Sequence, residues 1–142
     1  MTTAVSAGEI DEGDSLCRFK YGNELASIGP MPPIQPAGGT ACRIVHNPIL
    51  AKDFLPQAKL RELDTVTCSS WALSMFKNHN AAKKKLDSMV SRHPKLRESL
   101  GDHFAHAILH AALGEMTQTN KNRHFELFEY VDVDVQAAFK LV

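Results

Sequence analysis

The clearest hydrophobic pattern in the chain lies between residues 80 and 93, where apolar residues recur at helical spacing. They fall at positions i, i+4, i+7 and i+8, which places them on one side of a helix. Asn80 is a residue type that caps helix N-termini, and His93-Pro94 ends the helix because proline restricts the residue before it. The pattern predicts an amphipathic helix whose apolar stripe is Ala82, Leu86, Met89 and Val90.

Four other segments have residue patterns that predict extended strands. Ala41–Val45 is short, apolar and partly β-branched, and Thr65–Phe76 alternates with period two at least through Trp71. His124–Val131 mixes charged and aromatic residues in partial alternation, and Ala138–Val142 closes the chain. We therefore predict an α+β fold, with a small, mostly antiparallel sheet and one or two packed helices.

Residues 102–113 fit two patterns. Their alanine content and Asp102 favour a helix that Gly114 would end, whereas the alternation from Phe104 onwards favours a strand buried on both faces. Strand is the preferred interpretation, because a turn-rich stretch follows and leads into the 124–131 strand. On that strand Phe128 and Tyr130 share one parity, so one aromatic pair could be exposed and mark an interface.

Residues 1–40 predict a flexible arm before a single domain at 41–142. The arm begins acidic, with four carboxylates and no Lys or Arg in residues 1–16, and continues rich in proline and glycine. A chain of 142 residues suits one domain. Its start lacks the basic region and apolar block of a signal peptide, and no window reaches the ~18 apolar residues of a membrane span, so we predict a cytoplasmic protein.

Positive charge is concentrated in the predicted helix of this neutral chain. Residues 77–97 hold seven basic residues against Asp87 alone. A solvated helix face is the preferred interpretation, because the isoelectric point is near 7.1 and no aromatic residue is interleaved with the charges. Contact with an acidic protein, with the acidic arm or with nucleic acid are the alternatives. The candidate binding residues are Lys83, Lys84, Lys85, Arg92, Lys95 and Arg97.

The histidines and cysteines give weaker signals. On a helix, His103, His106 and His110 would share one face and form a metal set, but no glutamate lies between them in the His-Glu-x-x-His pattern. Ordinary hydrogen-bonded histidines are the preferred interpretation, and we predict no metal site. Three cysteines without a Cys-x-x-Cys spacing predict buried thiols rather than disulfides or a zinc site.

An Arg on a first strand, a Ser on a second and a Glu on a later one follow the order seen in ADP-ribosyltransferase-like enzymes. Arg43 in Ala41–Val45 resembles the first element, and Ser70 in Cys68–Trp71 resembles the second. The resemblance implies that Arg43 and Ser70 hold NAD while Glu126 or Glu129 orients the attacked ribose. The chain lacks the Ser-Thr-Ser triplet and the Glu-x-Glu of those enzymes.

A second resemblance covers roughly the last 75 residues. Ser70–Phe76, the following helix, His124-Phe125 and the terminal Phe139–Val142 look like an uncharacterised group of small bacterial proteins. That group implies a fold but no activity. Since no convergent catalytic set emerges, we expect a non-enzymatic accessory or protein-interaction module of the bacterial cytoplasm, with another protein as partner and no cofactor. The alternatives are an NAD-using transferase-like enzyme or toxin, and a nucleic-acid contact through the basic helix.

Overall fold

A computed structural model of the protein describes residues 16–142. The strands are β1 (Gln35–Pro36), β2 (Gly39–Val45), β3 (Leu73–Phe76), β4 (His103–Leu109), β5 (Gly114–Met116), β6 (His124–Glu129) and β7 (Lys140–Leu141). The α-helices are α1 (Gly22–Ile28), α2 (Gln57–Leu60), α3 (His79–Arg92) and α4 (Leu96–Leu100). Four short 3-10 helices complete the described elements: Ala51–Phe54, Cys68–Trp71, Ala111–Leu113 and Val135–Ala138.

The seven strands form one antiparallel sheet in the order β1-β5-β6-β3-β2-β4-β7. Its longest ladder joins β2 and β4 in register from Gly39↔Leu109 to Val45↔His103. By contrast, β2 and β3 share a single pair, Cys42↔Phe76, so few backbone pairs join the two strands at the centre of the sheet. The predicted α+β fold with a mostly antiparallel sheet is confirmed.

One face of the sheet carries the main core. Alternate residues of the central strands point to this face, because successive strand side chains project to opposite sides. Phe54 in the 3-10 helix Ala51–Phe54 and Phe139, directly after the 3-10 helix Val135–Ala138, cover them, with ring centroids 5.1 Å apart. The buried strand residues of this core are Ala41, Val45, Leu73, Met75, Ala105, Ala107, Leu109, Met116, Phe125 and Leu127.

The opposite face is covered in two separate parts. Over β2 and β4, helix α3 buries Ala82 against Cys42 and Phe76. Over β5 and β6, the segment 16–28, which we call the N-terminal cap, buries Leu16, Phe19 and Leu25 against a second cluster that includes Phe128. Between the two covers the sheet face keeps polar residues, and this gap contains the candidate site.

The N-terminal cap corrects the predicted flexible arm over residues 16–40. Leu16 and Phe19 are each 3% exposed and Leu25 is 1% exposed, so the segment is part of the folded core. The apolar residues of the cap are too few and too interrupted by glycine to show a period, and their structure comes from the sheet they contact. Residues 1–15, the rest of the predicted arm, lie outside the described residues.

The cap also corrects the prediction of an exposed aromatic pair on β6. Phe128 is 1% exposed and Tyr130 is half-buried. The Phe19 ring lies 6.1 Å from the Phe128 ring and 5.8 Å from the Tyr130 ring. Both parities of the strand are therefore covered, one by the main core and the other by the cap.

Three local predictions also change. Residues 68–71 form a 3-10 helix rather than a strand, so the strand is limited to β3. Helix α3 begins two residues early, because Asn78 rather than Asn80 is its N-cap and accepts a hydrogen bond of 2.8 Å from the Ala81 amide. The strand interpretation of residues 102–113 is confirmed for β4. The prediction of buried thiols is confirmed for Cys42 and Cys68 but is wrong for Cys17, which is exposed.

Candidate functional site

A groove of about 1180 Å³ lies between helix α3 and the turn that precedes β6. The sheet residues Ile44, Ser74 and Phe76 contribute to its base, and Met89 and Leu100 add apolar surface. Amides of Asn78, Asn80, Asn120 and Asn122 also line it. The groove thus combines apolar contact area with many hydrogen-bonding groups, which is the usual make-up of a binding site.

The charges that line the groove are strongly unbalanced. Asp87 is the one carboxylate among the described lining residues, and it lies 3.3 Å from the Lys83 ammonium. Such excess positive charge in a concave surface concentrates anions near it. We call this the cationic groove, and its basic lining residues are Arg43, Lys83, Lys84, Lys85, Lys121, Arg123 and His124.

A tight turn places Lys121 and Arg123 opposite α3. The Asn120 side-chain oxygen accepts hydrogen bonds from the amides of Asn122 (2.8 Å) and His124 (3.0 Å). Arg123 adopts a left-handed backbone with φ of 62°, and its carbonyl accepts from the Lys77 amide at 2.8 Å. These bonds fix the turn, so the two cations belong to a defined surface.

Half of the predicted basic set lies outside the groove. Lys83, Lys84 and Lys85 line it, but Arg92, Lys95 and Arg97 are not among the lining residues. Arg92 instead donates to the Ser88 carbonyl at 3.4 Å, and the Arg97 guanidinium lies 3.6 Å from Asp102. Sequence reasoning grouped these residues by closeness in the chain, and it missed Lys121 and Arg123, which join the groove through the fold.

The base of the groove holds a serine–histidine contact. Ser74 Oγ on β3 lies 2.6 Å from His124 Nε2 on β6. Burial lowers the pKa of His124, and the nearby Lys85 lowers it further, while the charge of Glu126 acts in the opposite direction. His124 is therefore mainly neutral at pH 7. Ser74 and His124 both lie in segments that carry the second resemblance, but that resemblance implies no activity for either residue.

Arg43 forms hydrogen bonds at the centre of the sheet, where β2 and β3 share few backbone pairs. Its guanidinium donates to the Asp53 carbonyl at 2.7 Å and to the Ser74 carbonyl at 2.5 Å, where the β2–β3 ladder stops. Burial lowers the pKa of Arg43 to about 10, which leaves it charged at neutral pH. It also lies over the Phe54 ring, 5.5 Å from the centroid.

The other residues of the transferase-like set each have a bonding partner outside that set. Ser70 lies in the 3-10 helix, where its hydroxyl accepts from the Thr67 amide at 3.1 Å. Glu126 accepts a short hydrogen bond from Ser69, and Glu129 lies 2.7 Å from the Lys20 ammonium. Of the four, Arg43 lines the groove and the others are not among its described lining residues.

The three histidines at 103, 106 and 110 do not converge. On β4, His103 and His106 project to opposite faces, and His103 contacts Asp102 at 3.0 Å. Within residues 16–142, no group of three or more His, Cys, Asp or Glu side chains is arranged to hold a metal ion.

Comparisons with known proteins give no relative from which a function could be inferred, so the fold and the groove are the observations from which a function is argued. No family model, curated protein or solved structure matches the chain. In the described part of the chain, no helix has both the length and the apolar character needed to cross a membrane.

Proposed function

We propose that this protein is an interaction module that binds an acidic segment of a partner protein in the cationic groove. The observation that carries the proposal is the convergence of cations from two distant segments, Lys83–Lys85 on α3 and Lys121 and Arg123 on the turn. A helix whose polar face contacts only solvent gives no reason for a second group of cations on the opposite side of the groove. Charge complementarity of this kind directs association and selects partners.

The lining favours an acidic peptide over a nucleic acid. Phe76, the aromatic residue among the described lining residues besides His124, is 5% exposed and offers no stacking surface for a base. Ile44, Met89 and Leu100 supply partly buried apolar surface beside the lysines. A segment that mixes carboxylates with apolar side chains matches both features.

A fluorescein-labelled peptide that alternates Glu and Leu tests the proposal by fluorescence anisotropy. We expect binding that weakens with rising salt, and about a tenfold or greater loss in the triple variant K84E/K85E/R123E. The matched control is R92E/K95E/R97E, which reverses three charges outside the groove and should bind within about twofold of the unaltered protein. Each triple should lower the unfolding free energy by no more than about 1.5 kcal/mol, because surface substitutions usually change it by about 0.5 kcal/mol each.

Three outcomes would contradict the proposal. One is equal weakening by both triple variants, which would mean that the peptide responds to the net charge of the protein and not to the groove. A second is tighter binding of a single-stranded DNA oligonucleotide than of the peptide, with loss in K84E/K85E/R123E, which would assign the groove to nucleic acid. Binding of the Gln–Leu version of the peptide as tightly as the Glu–Leu peptide would also count against it.

A further inference from the structure

The base of the cationic groove carries a reactive pair that peptide binding alone does not require. Ser74 is exposed and lines the groove together with His124. On the adjacent strands β3 and β6, Ser74 pairs with Glu126 and Phe76 pairs with His124, so all four side chains project to the same face. The hydroxyl and the imidazole meet diagonally, with Oγ and Nε2 2.6 Å apart.

Both members of the pair are held in place from outside it. The Ser74 carbonyl accepts from the half-buried Arg43 guanidinium, which fixes β3 at that residue. The His124 amide donates to Asn120, and the imidazole lies edge-on to the Phe76 ring at 5.2 Å. A nucleophile and base on rigid strands lose little rotational freedom before reaction, which is a recognised source of catalysis.

The electrostatic surroundings suit a general base. Because burial lowers the pKa of His124, the imidazole is available as a proton acceptor at neutral pH. The charge of Glu126 favours the imidazolium that forms once the proton has moved. Lys85 lowers the pKa of the same histidine, so its ammonium lies within electrostatic range of the imidazole.

We propose that Ser74 is the nucleophile and His124 the general base for hydrolysis of esters whose acyl chain carries a carboxylate, which the cationic groove holds. Ser74 Oγ bonds to the acyl carbon while its proton passes to His124 Nε2 and the carbonyl π pair moves to oxygen. When the carbonyl re-forms, the ester C–O bond breaks and the leaving alkoxide takes the proton from His124. Water then attacks the acyl-serine in the same way, and the products are the free acid and unmodified Ser74.

The substrate preference rests on the proposed function, because it uses the same cationic groove. Mono-p-nitrophenyl glutarate is the probe, and p-nitrophenyl butyrate is its neutral counterpart. We expect the full chain to release a burst of about one p-nitrophenolate per molecule and to gain one glutaryl group that maps to Ser74 by mass spectrometry. Butyrate should react about tenfold more slowly.

Variants then test the individual roles. S74A should lose the burst and the adduct, and H124Q should lower the acylation rate about 100-fold or more. S99A, which removes an exposed serine on α4, is the matched control and should react normally. An adduct on another residue, a burst retained in S74A, or no adduct in the unaltered chain would overturn the proposal. Equal rates with butyrate would overturn its substrate class.

The two proposals fail separately. Urea denaturation of S74A should show the same single cooperative transition as the unaltered protein, which shows that the variant is folded. Peptide binding without acylation of Ser74 refutes this inference and leaves the proposed function. Acylation of Ser74 without peptide binding refutes the acidic-segment proposal and leaves the serine–histidine pair.

Discussion

The two covers on the same sheet face use opposite arrangements of charge. Under the N-terminal cap, aromatic packing is surrounded by closed ion pairs: Arg18 bonds Glu115 through two nitrogens, at 2.6 and 3.2 Å, and Tyr130 donates to the same carboxylate at 2.8 Å. Under α3, the helix buries Ala82 and Leu86 and leaves Lys84 and Lys85 exposed over the groove. The cap therefore satisfies its charges internally, whereas α3 presents them outward.

This difference separates stability from recognition within one small fold. Cations that are paired with carboxylates of the same protein stabilise the N-terminal cap but contribute little net charge to attract a ligand. The pKa of Glu115 is lowered chiefly by its hydrogen bond from Arg18, which shows that the carboxylate is engaged in the folded state. Substitutions under the cap are therefore expected to cost more stability than substitutions near α3.

The largest expected effect is at the centre of the cap. Phe19→Ala removes the ring that contacts Phe128 and Tyr130, and should lower the unfolding free energy by about 3–5 kcal/mol through lost burial and an unfilled cavity. Urea denaturation measures the change. Ile108→Ala is the control, since Ile108 is 68% exposed and its truncation should cost no more than about 0.5 kcal/mol. A loss below about 1 kcal/mol at Phe19 would show that the cap is not part of the core.

A smaller effect is expected where the cap closes over a buried carboxylate. Glu129 is 5% exposed and lies 2.7 Å from the Lys20 ammonium. Lys20→Met leaves this carboxylate without that cation and should lower the unfolding free energy by about 1–3 kcal/mol at pH 7.

The cost of Lys20→Met should shrink as the pH falls. Burial raises the pKa of Glu129 above its usual value, and loss of the Lys20 charge raises it further. Because the pKa of Glu129 is higher in the folded than in the unfolded protein, protonation of Glu129 stabilises the fold. This contribution is full below the ordinary glutamate pKa and is lost as the pH rises through the pKa of Glu129 in the folded protein. Denaturation at pH 5 and pH 7 measures this. Lys140→Met, at an exposed lysine of β7, should show no such pH dependence, and an equal loss at both pH values in Lys20→Met would contradict the assignment.

The smallest expected effect lies on the α3 side, where His46 ties the end of β2 to α4. One ring nitrogen lies 2.6 Å from Asp53 Oδ1 and the other 2.9 Å from the Glu98 carbonyl. The hydrogen bond to Glu98, followed by the Asp53 contact, raises the pKa of His46. The added stability is full below the ordinary histidine pKa of about 6.5 and is lost as the pH rises through the folded value.

His46→Gln should therefore cost about 1 kcal/mol near pH 6 and less above pH 8. The difference between the unaltered protein and the variant, followed by denaturation across that range, isolates this histidine from the others. His110→Gln, at an exposed histidine, is the matched control. A pH-independent difference for His46→Gln would mean that His46 contributes by shape alone.

Elements whose residue pattern is local could be predicted from the amino-acid sequence alone. The apolar stripe of α3 and the proline after it predicted the helix and its end, because helix geometry sets both within one segment. A short apolar, partly β-branched run predicted β2, and alternation predicted β4 and β6, and with them the antiparallel α+β fold. The cationic character of α3 was likewise visible, since three consecutive lysines face solvent on any amphipathic helix with that stripe.

Contacts between residues that are far apart in the chain depend instead on how the strands and helices pack. The N-terminal cap carries no period of its own, and its burial follows from the aromatic face of β6, more than 100 positions away in the chain. The groove depends on a turn that brings Lys121 and Arg123 opposite α3. Ser74 reaches His124 only because β3 and β6 pair in one register, and a shift of one residue would place them on opposite faces of the sheet.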